Sequence, residues 1–243
     1  MALTGEGKWP RFFVTGTDTG VGKTQASRAL LSLLADAGLA PQGFKPYESG
    51  CSSLSAPSDA LSLREAARSE LPLELICPHR FRAPLAPGIA ARRLGREPDW
   101  RVTLAAWERL RHGSVVVEGA GGLFVPLDSS HDVIDLISTL GLPVLLVARA
   151  GLGTLNHTAL SLAALAARNI PVAAVLLSRG TPARDPSERD NPALISERHR
   201  LPVLGPVPYL VDPRRRHAAF RKALAPLVAP WLATGRSSRA RGR

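Results

Sequence analysis

Gly16-Thr17-Asp18-Thr19-Gly20-Val21-Gly22-Lys23-Thr24 follows the apolar run Phe12-Phe13-Val14 and opens a helical pattern, so a glycine-rich turn stands between a strand and a helix. Backbone N–H groups of such a turn converge on phosphate oxygens, helped by the positive end of the helix dipole. Lys23 would neutralise the outer phosphates and the Thr24 hydroxyl would ligate Mg²⁺, which reads as a nucleotide site. Gly16 lies one residue further from Gly22-Lys23-Thr24 than such loops usually allow, and Thr17 takes the usual glycine position,. A plain glycine-rich turn is the blander alternative. The Gly22-Lys23-Thr24 register behind a strand favours the phosphate loop.

Two more strand ends carry usable chemistry. Gly43-Phe44-Lys45-Pro46-Tyr47-Glu48-Ser49-Gly50 releases a lysine, a compact cation suited to charge developing on a transferred phosphoryl group,. Val117-Glu118-Gly119-Ala120-Gly121-Gly122 ends an apolar strand on a carboxylate, costly if unpaired there and useful if it holds Mg²⁺,. The residues alone leave other readings open. Lys45 could be a surface lysine and Glu118 the first solvated residue after its strand. Asp59 reads as a first-turn acid stabilised by a helix dipole, Ser49 as a loop serine, and Asn156 as a first-turn residue of a later helix,.

Short β-branched and apolar runs alternate with longer amphipathic stretches, the pattern of βα units around a parallel sheet. Strands are expected at 12–14, 43–45, 115–118, 144–147, 172–177 and 203–204. Helices are expected at 23–37, 59–69, 100–110, 133–140, 154–168, 192–199 and 213–232,. The strands lack polar alternation, as strands covered on both faces do. The expected fold is therefore one doubly wound, mostly parallel α/β sheet with helices on both faces, and ligands at the carboxyl ends of its strands. Segment 69–99, rich in Pro and Arg, reads as an irregular excursion with a short strand near Ile76.

A chain of 243 residues with 45% hydrophobic content supports one sizeable core and is short for two catalytic domains,. The expected division is a catalytic domain at 1–233 and a basic, disordered tail at 234–243. No apolar run reaches the roughly 18 residues that span a bilayer, and the N-terminus lacks the pattern of a signal peptide. Cys51 and Cys77 are too few for a disulfide framework or a zinc site, so a soluble cytoplasmic protein is expected,. The net charge of +11 invites a nucleic-acid reading,. Its distribution disfavours that partner, because arginines gather in the tail and at Arg214-Arg215-Arg216, as on a solvated basic surface,. Only Lys8, Lys23, Lys45 and Lys222 are lysines among 31 basic residues, which singles out Lys45.

The motifs taken together resemble the dethiobiotin synthetase family, a group of P-loop NTPase type. The phosphate loop with its extra residue, Gly43-Phe44-Lys45-Pro46 with Ser49-Gly50, Ser58-Asp59-Ala60-Leu61, Val117 to Gly122, and Gly151-Leu152-Gly153-Thr154-Leu155-Asn156-His157-Thr158 occur in that family's order. The resemblance implies an ATP-dependent cyclo-ligase that closes a ureido ring from 7,8-diaminononanoate and CO2 through a phosphorylated carbamate. It implies that Lys23 and Lys45 supply positive charge and that Ser49 binds the carbamate. Thr24, Asp59 and Glu118 would hold Mg²⁺. Thr19, Gly20, Val21, Gly22, Lys23 and Thr24 would cradle the ATP phosphates. Gly121, Gly151, Leu152 and Asn156 would face the substrate, with backbone N–H groups meeting its carboxylate. It also implies a homodimer.

Three departures accompany the matches. Gly20 stands where some members have Glu. Ser178-Arg179 stands where Asn-Asp is expected beside the base, and a serine lacks an amide's paired donor and acceptor,. Pro192 falls near the tyrosine that reaches a neighbour's substrate. Gly205-Pro206-Val207-Pro208-Tyr209-Leu210 matches the family's other nucleotide-side segment, so Ser178, Pro208 and Tyr209 are the expected base contacts. A partitioning or regulatory P-loop ATPase, acting as a nucleotide-dependent switch, is the alternative. Asp18 occupies the place of that class's additional lysine and argues against it. An amidotransferase would need a glutaminase domain that a chain of this length lacks.

Overall fold

The computed structural model describes residues 9–240, with the backbone alone for 233–240. In chain order the elements are β1 (Arg11–Gly16), α1 (Lys23–Asp36), β2 (Gln42–Phe44), β3 (Tyr47–Ser49), α2 (Ser58–Ala67), α3 (Leu73–Ile76), β4 (His79–Phe81), α4 (Pro87–Arg92) and α5 (Trp100–Leu110). They continue as β5 (Val115–Glu118), α6 (Val133–Leu140), β6 (Val144–Arg149), α7 (Thr154–Ala167), β7 (Val172–Ser178), a 3₁₀ turn (Pro186–Arg189), α8 (Asn191–His199), β8 (Val203–Val207) and α9 (Pro213–Ala240).

Six strands form one parallel sheet in the order β2-β5-β1-β6-β7-β8. Successive side chains of a strand point to opposite faces, and the sequence fills both with apolar groups. Phe13, Val117, Leu146 and Leu177 pack with α5, α6, α7 and α8 on one face. Phe12, Val14, Val116 and Leu176 pack with α1, α2 and α9 on the other. The expected doubly wound sheet is therefore present, and its strand ends open along one edge.

Segment 69–99 is more ordered than its composition suggested. Ile76 ends the short helix α3 and is not in a strand; the strand in this stretch is β4, which pairs with β3 in a separate two-stranded parallel sheet. Pro72 at the start of α3 and Pro78 behind it confine the helix to one turn, while Ile76 and Cys77 bury themselves against Ala60,. The excursion also docks on the second strand end, where the Lys45 N–H donates to the Ile76 carbonyl at 2.8 Å.

The backbone of α9 continues past the expected end at 232 and reaches Ala240, despite Pro226 and Pro230. The side chains expected in a basic tail at 234–243 lie outside the described residues.

Candidate functional site

The phosphate loop leaves β1 and enters α1 through Gly22, whose φ of 104° lies in the left-handed region that glycine adopts freely,. A Cβ on Gly22 would come within 3.2 Å of the Phe220 ring and 3.3 Å of Ser178 Oγ, so the loop packs directly against α9 and the end of β7. Lys23 is 8% exposed, and its Nζ donates to the Asp18 carbonyl at 2.8 Å. Burial, and then the Lys45 cation, lower its pKa to about 8, against the upward pull of Glu118, Asp18 and Asp59. An ammonium held with so little water gains strongly from arriving phosphate oxygens.

Lys45 stands just after β2 and is 4% exposed, which removes the surface-lysine reading. Its Nζ lies 2.7 Å from Glu118 Oε1, 3.1 Å from the Gly119 carbonyl and 3.3 Å from Asp59 Oδ2. Burial alone would lower its pKa; the Glu118 and Asp59 carboxylates overcome that and hold it above the ordinary lysine value. Lys45 is thus a permanent buried cation.

Glu118 is 1% exposed, so it is no solvated strand end. The pairing of Val14 with Glu118 across β1 and β5 sets this carboxylate beside the strand that feeds the phosphate loop. Its Oε1 accepts from Thr24 Oγ1 at 2.9 Å as well as from Lys45, whereas its Oε2 is buried with no partner among the described residues. An orphaned buried carboxylate oxygen calls for a cation or a donor. With the Thr24 hydroxyl and the partly exposed Asp59 carboxylate it makes an all-oxygen set of the kind Mg²⁺ accepts, so the residues present fit that ion,.

The third loop rides on the first. A Cβ on Gly121, where φ is 65°, would lie 2.7 Å from Val125 and 3.5 Å from Thr19 Oγ1. On the β3 side, Ser49 ends its strand with a hydroxyl that makes no hydrogen bond among the described residues. Glu48, one residue earlier, is 3% exposed and accepts the backbone N–H groups of Asp59 and Ala60. Burial pushes its pKa up, against the pull of those two bonds.

Gly151, Leu152 and Asn156 border the start of α7. The Leu152 N–H already donates to Asp185 Oδ2 at 2.8 Å, and a Cβ on Gly151 would meet that same oxygen at 2.8 Å. The first bond helps hold the Asp185 carboxyl below its usual pKa. Leu155 and Asn156 in the first turn keep N–H groups that no carbonyl takes up among the described residues,. Opposite, Ser178 ends β7 at 4% exposure, in register with Val207, and Pro208 and Tyr209 follow directly after β8.

A family model described as an AAA domain matches residues 10–215. An ATP-dependent dethiobiotin synthetase of Anaeromyxobacter dehalogenans is 51% identical over 216 residues, covering 88% of this chain and 96% of that relative. The chain belongs to the dethiobiotin synthetase family. The synthetase of the same name from Bacillus subtilis is 38% identical, covering 83% of this chain and 88% of its own length. No helix among the described residues is long and apolar enough to cross a membrane.

Several residues near the site escape a reading of motifs. Arg179 is engaged by Glu188 through Nε at 2.6 Å and through Nη2, so its guanidinium is already committed beside Ser178. Phe220 reaches the loop from α9, and Asn191 donates to the Ala150 carbonyl at 2.7 Å, tying α8 to the end of β6. Asp18 pairs with Arg149 at 2.6 Å and so bridges the phosphate loop to β6. Asp185 sits in an Asp185-Pro186-Ser187 turn that the sequence could have announced, since its side chain accepts the Ser187 N–H,. Its contact with Leu152 is tertiary and left no local signal.

Proposed function

We propose that this chain closes the ureido ring of dethiobiotin from 7,8-diaminononanoate, carbon dioxide and ATP. One amine of the diamine adds to CO2 and loses a proton, giving a carbamate. A carbamate oxygen attacks the γ-phosphorus, and the bond to ADP breaks. The second amine attacks the carbonyl carbon of the resulting mixed anhydride and expels phosphate. The products are the cyclic urea, ADP and inorganic phosphate. Two anions must meet in the second step, so the protein has to concentrate positive charge where they meet.

The convergence of Lys45 and Thr24 on Glu118, with the Asp59 carboxylate on the same Lys45 ammonium, carries this reading. Lys45, charged and dry, would face the transferring phosphoryl group, and Lys23 would leave the Asp18 carbonyl for the outer phosphates. Ser49, with its unused hydroxyl, would hold the carbamate. Mg²⁺ held by Thr24, Asp59 and Glu118 would neutralise phosphate oxygens. Thr19, Gly20, Val21 and Gly22 would wrap the phosphates, with Gly121 closing over Thr19. Gly151, Leu152 and Asn156 would border the substrate carboxylate, and Ser178, Pro208 and Tyr209 the base.

The assembly proposed is a cytoplasmic homodimer. Leu152, Leu155 and Leu160 stand exposed on the segment that also carries Asn156, where a second subunit would cover them. Purified protein supplied with Mg-ATP and bicarbonate should release phosphate only when diaminononanoate is added, with dethiobiotin as the product. Hydrolysis indifferent to the diamine would sink the assignment.

A further inference from the structure

Helix α2 begins badly. Pro57 precedes it and offers no side-chain acceptor, so the first-turn N–H groups of Asp59 and Ala60 lack a local cap,. Glu48 supplies one from a different element. Its Oε1 accepts the Asp59 N–H at 3.0 Å and lies 3.4 Å from Ser58 Oγ, and its Oε2 accepts the Ala60 N–H at 2.9 Å. Both oxygens are used, in a side chain only 3% exposed.

This bracket joins two parts of the site. Glu48 lies on segment 45–49 between Lys45 and Ser49, and Asp59 is the second residue of α2. The same segment therefore holds Asp59 twice: Lys45 Nζ meets its carboxylate at 3.3 Å, and Glu48 fixes its backbone N–H. An ion pair alone leaves a carboxylate free to swing about its χ angles and the helix free to shift. A two-oxygen grip on the first turn removes the second freedom.

We propose that Glu48 is a positioning residue that fixes the start of α2 so that the Asp59 carboxylate faces Lys45 and the Mg²⁺-nucleotide. This rests on the proposed role of Asp59 as a metal ligand. Groups behind first ligands typically change metal affinity about 10- to 100-fold when removed.

The test is a double-mutant cycle of Glu48→Ala and Asp59→Ala, read by Mn²⁺ binding to the protein with ADP in electron paramagnetic resonance, alongside thermal unfolding. Glu48→Ala should weaken Mn²⁺ binding about tenfold, and Glu48→Gln, which retains one acceptor oxygen, should fall between it and the parent. In the Asp59→Ala background the Glu48→Ala change should add little, because the carboxylate it positions is gone. A lowered melting temperature with unchanged Mn²⁺ affinity would reduce Glu48 to a helix cap, and additive effects on Mn²⁺ affinity would equally overturn the proposal. Should Glu48→Ala not fold, Glu48→Gln carries the same cycle. The binding readout needs no turnover, so absent diamine-dependent phosphate release would count against the proposed function and leave the Glu48 result standing.

Discussion

Lys45 Nζ and Glu118 Oε1 lie 2.7 Å apart, in side chains that are 5% and 0% exposed. The pair joins the ends of β2 and β5, adjacent strands of the sheet, and Thr24 shares the same carboxylate oxygen. Truncating one partner of a buried pair leaves the other charge uncompensated, which typically costs about 3–5 kcal/mol. A transition-state charge stabiliser that is lost costs about 10²–10³ in turnover. Lys45→Ala should therefore lower both kcat and the melting temperature, and Lys45→Ala with Glu118→Gln should recover the melting temperature without recovering kcat. Stopped-flow phosphate release and calorimetry separate the two effects; an active Lys45→Ala protein would show that the lysine is misassigned.

The orphaned Oε2 of Glu118 makes a separate prediction about the metal. Thr24→Ala removes one proposed ligand and frees Oε1 from one donor, without removing a charge. It should raise the Mg²⁺ concentration for half-maximal phosphate release about tenfold while changing diamine KM little. Titration of Mg²⁺ at saturating ATP measures this. Equal Mg²⁺ dependence in Thr24→Ala and parent would place the ion elsewhere.

Five strands of the main sheet were legible as apolar runs, and β2 and the glycine-bearing loops by their motifs, because both are local signals. Lys45 and Glu118 were legible as candidates by position, and Asp59 only through the family resemblance, but the burial of Lys45 and Glu118 was not; only the fold turns a strand-end carboxylate into a dry ion pair. The paired strands β3 and β4 escaped because three residues carry almost no periodicity, and α3 because a single turn resembles an apolar strand end. Glu48 had one faint signal, a carboxylate between an aromatic residue and a serine just beyond a strand. Its partners, the N–H groups of Asp59 and Ala60, lie eleven and twelve residues away and leave no trace in local sequence.

The substrate carboxylate is expected at the start of α7. Asp185 already accepts from Leu152 N–H, so the donors left there include the backbone N–H groups of Leu155 and Asn156 and the Asn156 side-chain amide, which Asn156→Ala would remove. Asn156→Ala should raise diamine KM about tenfold with kcat nearly unchanged, the size of one charge-assisted hydrogen bond. Asp185→Ala should change KM less than about threefold, under 1 kcal/mol. Steady-state kinetics on both variants decide it. A marked fall in KM for Asp185→Ala would instead mean that Asp185 competes with the substrate for Leu152.

Ser178, proposed beside the base, would give only a weak handle on it. A single hydroxyl contributes about 1 kcal/mol of discrimination, far less than a paired amide, and the neighbouring Arg179 is held by Glu188,. ATP, GTP and CTP should therefore support turnover with kcat/KM values within about tenfold of one another. Matched assays of diamine-dependent phosphate release test this, and a preference for ATP of a thousandfold would locate base recognition in groups other than Ser178.

His79 predicts how stability depends on pH. Its ring stacks on Tyr47 with centroids 4.8 Å apart, its Nε2 lies 3.1 Å from Thr103 Oγ1, and burial lowers its pKa below the ordinary histidine value. The unfolded chain therefore binds a proton near pH 6.5 that the folded chain refuses until the pH is lower. Unfolding takes up that proton throughout the window between the two pKa values, so stability is lost as pH falls from 7 through that window. His79→Gln keeps a polar group near Thr103 but does not titrate, so it should flatten this part of the melting-temperature profile while lowering its plateau near pH 7.5. Calorimetric scans between pH 5 and 7.5 measure the slope; identical slopes in parent and variant would assign the acid lability to other groups, among them His217, whose pKa burial also lowers.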